Sequence, residues 1–252
     1  MSPDFFDVAL TPEVFIFLFG TFMAAIVVGV SGFAFGLVAA AIWNLSLAPR
    51  QTTALIVLYA LLVQGQAVWR MRNAIVVSRV WPFVLGSAIG IPLGVLVLYA
   101  LTVAQMRFAV AGLLILFSLY NLTRPAVTRL TLSGKGPDVA VGVVNGILSG
   151  ATGLAGIAIV IWAALRGWSS NEQRAVFQPA AVAAFLMCLP VFAASGMFTA
   201  ETLRLFIIGL PCLLVGNALG WFLYGRLNEA AFRRMVLWLL LASGLGMLAI
   251  SR

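Results

Sequence analysis

The sequence predicts an all-α membrane protein made of two inverted repeats. Each repeat has about five hydrophobic segments and opens on a broken or re-entrant pair of half-helices. Three observations carry this expectation. The 252 residues are 63% apolar and 9% charged, with a mean hydropathy of +1.12, whereas a soluble domain carries about a quarter charged residues on its water-facing surface. The apolar residues fall into ten segments free of charge. The same features then recur in the same order on both sides of one polar stretch. Soluble, disordered and fibrous classes are excluded.

In chain order the segments are 14–30, 34–47, 53–69, 80–101 and 108–122, then 139–148, 154–165, 175–194, 205–224 and 235–250. A helix rises ~1.5 Å per residue, so crossing a ~30 Å hydrocarbon core takes about 20 residues. Segments 80–101, 175–194 and 205–224 are long enough outright. Segments 139–148 and 154–165 reach only ~15–18 Å each and are expected to be half-helices broken at midplane. Segments 14–30 and 34–47 are borderline and read as a second such pair.

The polar stretch 123–138 contains Pro125, Gly134, Gly136 and Pro137 and is expected to be a linker. It divides the chain into a first repeat at 1–123, a cytoplasmic linker at 124–138 and a second repeat at 139–252. Ser31-Gly32 aligns with Ser149-Gly150, Gln51 with Gln173, Gly86 with Gly209 and Arg107 with Arg233. Spacings that drift only by short insertions indicate an internal duplication.

Orientation follows from the basic residues. With the N-terminus outside, Arg70, Arg72, Arg79, Arg124, Arg129, Lys135, Arg166, Arg174, Arg226, Arg233 and Arg234 fall inside, against Arg50, Arg107, Arg204 and Arg252 outside. That asymmetry obeys the positive-inside rule and places both termini in the periplasm. An odd number of crossings per half turns the second repeat upside down, the architecture of secondary transporters. The N-terminal region, with Asp4, Asp7 and Glu13 and no basic residue before Arg50, does not read as a signal peptide.

The candidate site lies at the two breaks. The first reads Gly29-Val-Ser31-Gly32-Phe-Ala-Phe-Gly36, and the second runs from Asn145-Gly146 through Ser149-Gly150-Ala-Thr152-Gly153 to Gly156. Irregular backbone at membrane depth is tolerated where it is buried in protein or lines a cavity, and N–H groups opening a helix suit an anion. Inverted symmetry is expected to aim both helix ends at one point. The candidate substrate-binding residues are therefore Ser31, Gly32, Gly36, Asn145, Ser149, Gly150, Thr152, Gly153 and Gln178. Close helix packing through small residues such as Gly32 and Gly36 is the competing explanation.

Arg50 and Arg174 are candidates for gathering anions at the mouths, and Glu172 for coupling to protons. Solvated loop charges are the plainer account of the two arginines, and a proton carried on the substrate itself is the alternative to Glu172. Gln64, Gln66, Asn121, Asn145, Gln178 and Asn217 read as helix–helix glue or cavity lining. Pro92, Pro179, Pro190 and Pro211 are candidates for kinks. Trp69, Trp81, Trp168 and Trp221 lie near segment ends, as interface anchors do.

Several chemistries are excluded. Histidine is absent, which removes the usual zinc ligand and general base. Gly29-Val-Ser31-Gly32 spells the GxSG of intramembrane serine proteases, but no base lies in any segment to activate the serine. Cys188 and Cys212 stand alone in apolar runs and read as packing residues. No metal or cofactor is expected, and the chain is not expected to be an enzyme. In a membrane protein the net charge of +8 marks loop orientation rather than nucleic-acid binding.

At the two glycine-serine breaks, each followed by a basic loop and glycine-rich spans, the chain resembles the sulfite exporter TauE/SafE family. The resemblance covers residues 14–250 and is strongest at NGILSGATGLAG and GLPCLLVGNALGWFLYGRLNEAAFRRM. Where that family usually carries a Gly-x-Gly-Gly-Gly-like turn, this chain has Phe-Ala-Phe-Gly36 and Gly153-Leu-Ala-Gly156, which leaves the identity of the anion open. The resemblance implies a bacterial inner-membrane transporter of small sulfur-containing anions such as sulfite or sulfonates. Its partners are then the anionic substrate, accompanied or not by protons, and the lipid bilayer; a homo-oligomer is compatible with the sequence. A passive anion channel and a membrane-embedded assembly subunit are the alternatives.

Overall fold

A computed structural model describes residues 11–32, 34–123, 134–223, 226 and 228–250. Among them the chain is all-helical: α1 (Pro12–Ser31), α2 (Phe35–Trp43), α3 (Pro49–Met71), α4 (Val77–Ala100), α5 (Val103–Thr123), α6 (Lys135–Thr152), α7 (Ile157–Leu165), α8 (Ser170–Ala194), α9 (Ala200–Leu223) and α10 (Glu229–Ile250). Each expected segment corresponds to one helix. Most start several residues early, because a helix continues through polar flanks that a hydropathy criterion stops at. Six helices, α1, α3, α4, α5, α8 and α9, are long and apolar enough to cross a membrane.

Two expectations shift. The segment 139–148 becomes α6, an 18-residue helix beginning at Lys135 and about 27 Å long by its rise. It runs straight through Ser149-Gly150, and the chain breaks three residues later, at residues 153–156. Likewise α1 continues to Ser31 and breaks after it. A Ser-Gly pair inside a helix is tolerated when the helix is held by packing. Helical conformation ends where the backbone turns left-handed, at Gly32 (φ 73°) and Gly153 (φ 71°). In local geometry Gly32 therefore corresponds to Gly153 and Ser31 to Thr152, rather than Ser31-Gly32 to Ser149-Gly150. Pro92, Pro179, Pro190 and Pro211 lie inside continuous helices.

The helices form two compact units. The first contains Met1–Leu55, Val103–Leu122 and Met197–Arg252, and the second Ile56–Thr102 and Thr123–Gly196. Each draws on both sides of the linker region.

In the second unit α4 packs along α6 through two rows of glycine at four-residue spacing. A Cβ on Gly86, Gly90 or Gly94 would run into the carbonyls of Val139, Val143 and Ile147, and one on Gly142 would lie 2.6 Å from the Phe83 oxygen. Contacts advance in the same direction on both helices, so α4 and α6 are parallel. With no Cβ in the way the backbones approach to van der Waals distance, the main source of helix association in lipid. The opposite face of α4 exposes Trp81, Leu85, Ile89, Leu93 and Leu96, so large apolar side chains face outward and small residues inward.

In the first unit α1 and α9 are likewise parallel, with Gly216 against Phe22 and Ala25, and Gly220 against Ile26 and Gly29. The short α2 folds back along α1: Trp43, wholly buried, donates from Nε1 to the Phe17 oxygen at 3.1 Å. Gly20 makes the room, since a Cβ there would lie 2.8 Å from the indole nitrogen.

Candidate functional site

The best-defined candidate site is the α6–α7 break in the second unit. Thr152 ends α6, and the Gly153 N–H closes its last turn on the Ser149 oxygen at 2.9 Å. The chain passes Leu154 and Ala155 and enters α7 at Gly156, whose φ of 94° excludes most side chains. A Cβ there would also lie 2.8 Å from the Phe177 ring on α8.

Asn145, about two helical turns before the break, fixes the entry. Its Oδ1 accepts the Gly156 N–H at 2.6 Å, while its Nδ2 donates to Ser87 Oγ on α4 at 3.1 Å. Ser87 Oγ in turn donates to the Gly142 oxygen at 3.2 Å. All three side chains in this neighbourhood, Ser87, Asn145 and Ser149, are wholly buried. A buried amide with both ends satisfied is a rigid strut, here tying α4, α6 and α7 together.

The hydroxyls are engaged too. Ser149 Oγ donates to the Asn145 oxygen at 2.6 Å and Thr152 Oγ1 to the Leu148 oxygen at 2.7 Å. Each hydroxyl has one proton to give, so in this conformation both hydroxyls serve the helix end. Thr152 Oγ1 also accepts the Leu154 N–H at 3.3 Å, which shapes the first step out of α6. The positive end that remains is the N-terminus of α7, and no side chain of its N-cap residue covers it.

The structure thus brings Asn145, Ser149, Thr152 and Gly153 together at one break. Gly150 lies on the α4-facing side of α6, against Ile91. Gln178 is buried on α8, one residue beyond the Phe177 that touches Gly156. In the first unit Gly32 caps α1 through its N–H to the Val28 oxygen at 2.7 Å, and Ala34 precedes α2 at φ 73° with no side-chain cap. Gly36 is the second residue of α2. Of the mouth residues, Arg50 is exposed at the start of α3. Glu172 closes a capping box with Ser169 and pairs with Arg79 at 3.2 Å. Arg174 lies one turn into α8.

Ser87 was not anticipated. Its signal was available: a hydroxyl beside the first glycine of a G-x-x-x-G-x-x-x-G row sits next to the closest helix contact. Asp138 is a second surprise. All seven carboxylates lie outside the apolar segments, yet Asp138 falls in the first turn of α6 with its side chain 14% exposed. It accepts from Trp162 Nε1 at 2.7 Å and pairs with Arg166 at 3.2 Å. The end of α7 therefore returns to the start of α6.

The family model described as sulfite exporter TauE/SafE matches residues 16–247. No curated protein and no solved structure matches the chain.

Proposed function

Because the chain belongs to the sulfite exporter TauE/SafE family, we propose that it is a secondary transporter exporting sulfite or an organosulfonate across a bacterial inner membrane. The observation that carries this reading is the buried N-terminus of α7, held in place by Asn145 at a glycine break. Its N–H groups are the anion contacts, and those opening α2 are the corresponding set in the first unit. Gly32 and Gly153 let the backbone turn left-handed at the breaks, and Gly36 lies in the first turn of α2. Ser31 and Thr152 end the helices before the breaks, and Gln178 lies on the helix beside α7. Asn145 and Ser149 act chiefly by positioning the helix ends, and Gly150 by keeping α6 close to α4. A helix N-terminus contributes about 0.3–2 kcal/mol to an anion, and two or three N–H bonds to a charged acceptor add about 1.5–3 kcal/mol each. Together these reach the millimolar to micromolar binding that suits a carrier.

The two hairpins, α1–α2 and α6–α7, are read as re-entrant. What supports this is the return of Trp162 to Asp138 and of Trp43 to Phe17, and the nine-residue length of α2 and α7. Arg79, Lys135, Arg166 and Arg174 gather where α4, α6 and α8 begin, an end joined by the Arg79–Glu172 pair. This favours placing that end in the cytoplasm, both termini in the periplasm, and the two halves of the chain in inverted relation.

The test is flux of labelled sulfite and methanesulfonate in proteoliposomes, with an Asn145→Asp variant beside the wild type. Aspartate keeps an oxygen for the Gly156 N–H but adds a negative charge. A like charge held on the Gly156 N–H, beside the N–H groups that hold the cargo, costs on the order of 2 kcal/mol or more at an effective dielectric of 20, or a loss of roughly 30-fold or greater. Wild-type flux in a variant that melts normally overturns the break as the site. Flux that never runs uphill under any imposed gradient makes the protein a passive channel instead.

A further inference from the structure

The geometry points to a second oxyanion site at the far end of α7, where Arg166 and Trp162 form a cradle that Asp138 occupies as a built-in competitor. The cradle consists of two donors on one helix. Arg166 Nη1 lies 3.2 Å from Asp138 Oδ1 and 3.5 Å from Oδ2. Trp162 Nε1 donates to the same Oδ1 at 2.7 Å. The guanidinium carbon sits 4.9 Å from the Trp162 ring centre and 6.0 Å from that of Trp168, so two indoles hold the cation in place. Phe83 backs Trp168 edge-on at 6.5 Å. Both charged side chains are about six-sevenths buried, at 15% and 14% exposure.

A planar cation and an indole N–H converging on two carboxylate oxygens is the donor set that a sulfite or sulfonate group needs. Such a group offers three acceptor oxygens where aspartate offers two, so each donor can have an oxygen of its own, whereas Asp138 Oδ1 serves both Arg166 and Trp162. One guanidinium nitrogen carries both contacts to Asp138, an end-on arrangement weaker than a two-nitrogen fork. The surroundings favour an incoming anion. Arg79, Lys135 and Arg174 lie on the helices that begin at this end, where Glu172, the other described carboxylate, is paired with Arg79. A positive rim raises the local anion concentration.

Displaced, Asp138 stays in the first turn of α6, where a negative charge is favourable. Capture also has a structural consequence. The Asp138 contacts tie the end of α7 to the start of α6, so an anion that takes over Arg166 loosens the hairpin whose other end is the Asn145 strut. This site rests on the reading that the cargo is an oxyanion. It lies about 13 Å along α7 from the break, by the helical rise.

The experiment titrates sodium sulfite into the full chain in lipid nanodiscs and reads indole emission and heat. Asp138→Asn removes the competing charge and is expected to bind sulfite about tenfold more tightly, since occupancy by Asp138 lowers apparent affinity. Adding Arg166→Gln to that variant removes the cation without leaving a charge buried alone, and is expected to abolish the emission change. Should Asp138→Asn fail to melt cooperatively, Arg166→Lys keeps the ion pair but loses the planar cation, and is expected to weaken binding about tenfold. Asn145→Asp, which charges the break, is expected to reduce the heat that comes from the break and to leave the emission change at Trp162 and Trp168 unmoved. An emission change that the Asp138 and Arg166 changes do not alter, or that Asn145→Asp abolishes, overturns this site and leaves the break standing. Absence of sulfite binding to the wild type overturns both.

Discussion

Ala34 is the one described non-glycine residue with a positive φ, at 73°. A left-handed backbone costs a residue with a Cβ about 1–2 kcal/mol, so the entry to α2 is strained where the entry to α7 uses Gly156. Ala34→Gly is expected to stabilise the protein by about 0.5–1 kcal/mol, the relief being partly offset by the freedom glycine gains when unfolded. Gly153→Ala, at φ 71°, is expected to cost about 1–2 kcal/mol. Thermal melting in detergent reads both. A shift of the same sign in the two variants contradicts the backbone argument. That a turn would occur near Gly32 and near Gly153 was legible from the glycines. That an alanine would share the left-handed geometry was not, because sequence does not reveal strain imposed by the helices on either side.

At the scale of elements, the glycine rows of α4 and α6 decide which helices touch. Gly90→Ala sets a methyl against the Val143 carbonyl and is expected to destabilise by about 1–3 kcal/mol, since overpacking displaces backbone. A methyl on Gly112 of α5 would meet nothing within 4 Å. Gly112→Ala is therefore expected to be neutral or stabilising by up to about 1 kcal/mol through helix propensity alone. If the two variants melt alike, the glycine rows are not the packing device. The four-residue spacing was visible in the sequence for each helix. The pairing of those two helices was not, because α5 and the linker region separate them in the chain.

For the whole molecule, the charge asymmetry makes a prediction independent of any site. Single cysteines at Ser2, Ser133 and Ser251, in a background lacking Cys188 and Cys212, are expected to label differently from outside intact cells. Ser2 and Ser251 should react with an impermeant thiol reagent and Ser133 should not. Reaction at Ser133 from outside reverses the orientation and, with unreactive termini, turns the whole protein over. Reaction at all three sites breaks the parity on which the inverted relation depends. The tryptophans follow the same division between what a membrane solvates and what it does not. Trp69, Trp81 and Trp221 are exposed near helix ends, as interfacial residues should be. Trp43 and Trp162 are instead buried as hydrogen-bonding struts of the two hairpins.

Hydrophobicity is a property of composition along the chain, so residue order alone gave the membrane class and the ten apolar segments. Of the four segments read as broken halves, α2 and α7 are short at nine residues each, while α6 extends to 18 and α1 to 20. The glycines likewise announced that the backbone breaks near residues 32 and 153. Partnership is a property of space. Only the tertiary structure decided that Asn145 commits its amide to Gly156 and Ser87, that Gly150 serves α4, and that Asp138 leaves the linker side to meet Trp162 and Arg166. Each of those contacts joins residues on different helices or far apart along one hairpin. Their existence depends on backbones brought close by the absence of side chains, a condition no local pattern of polarity records.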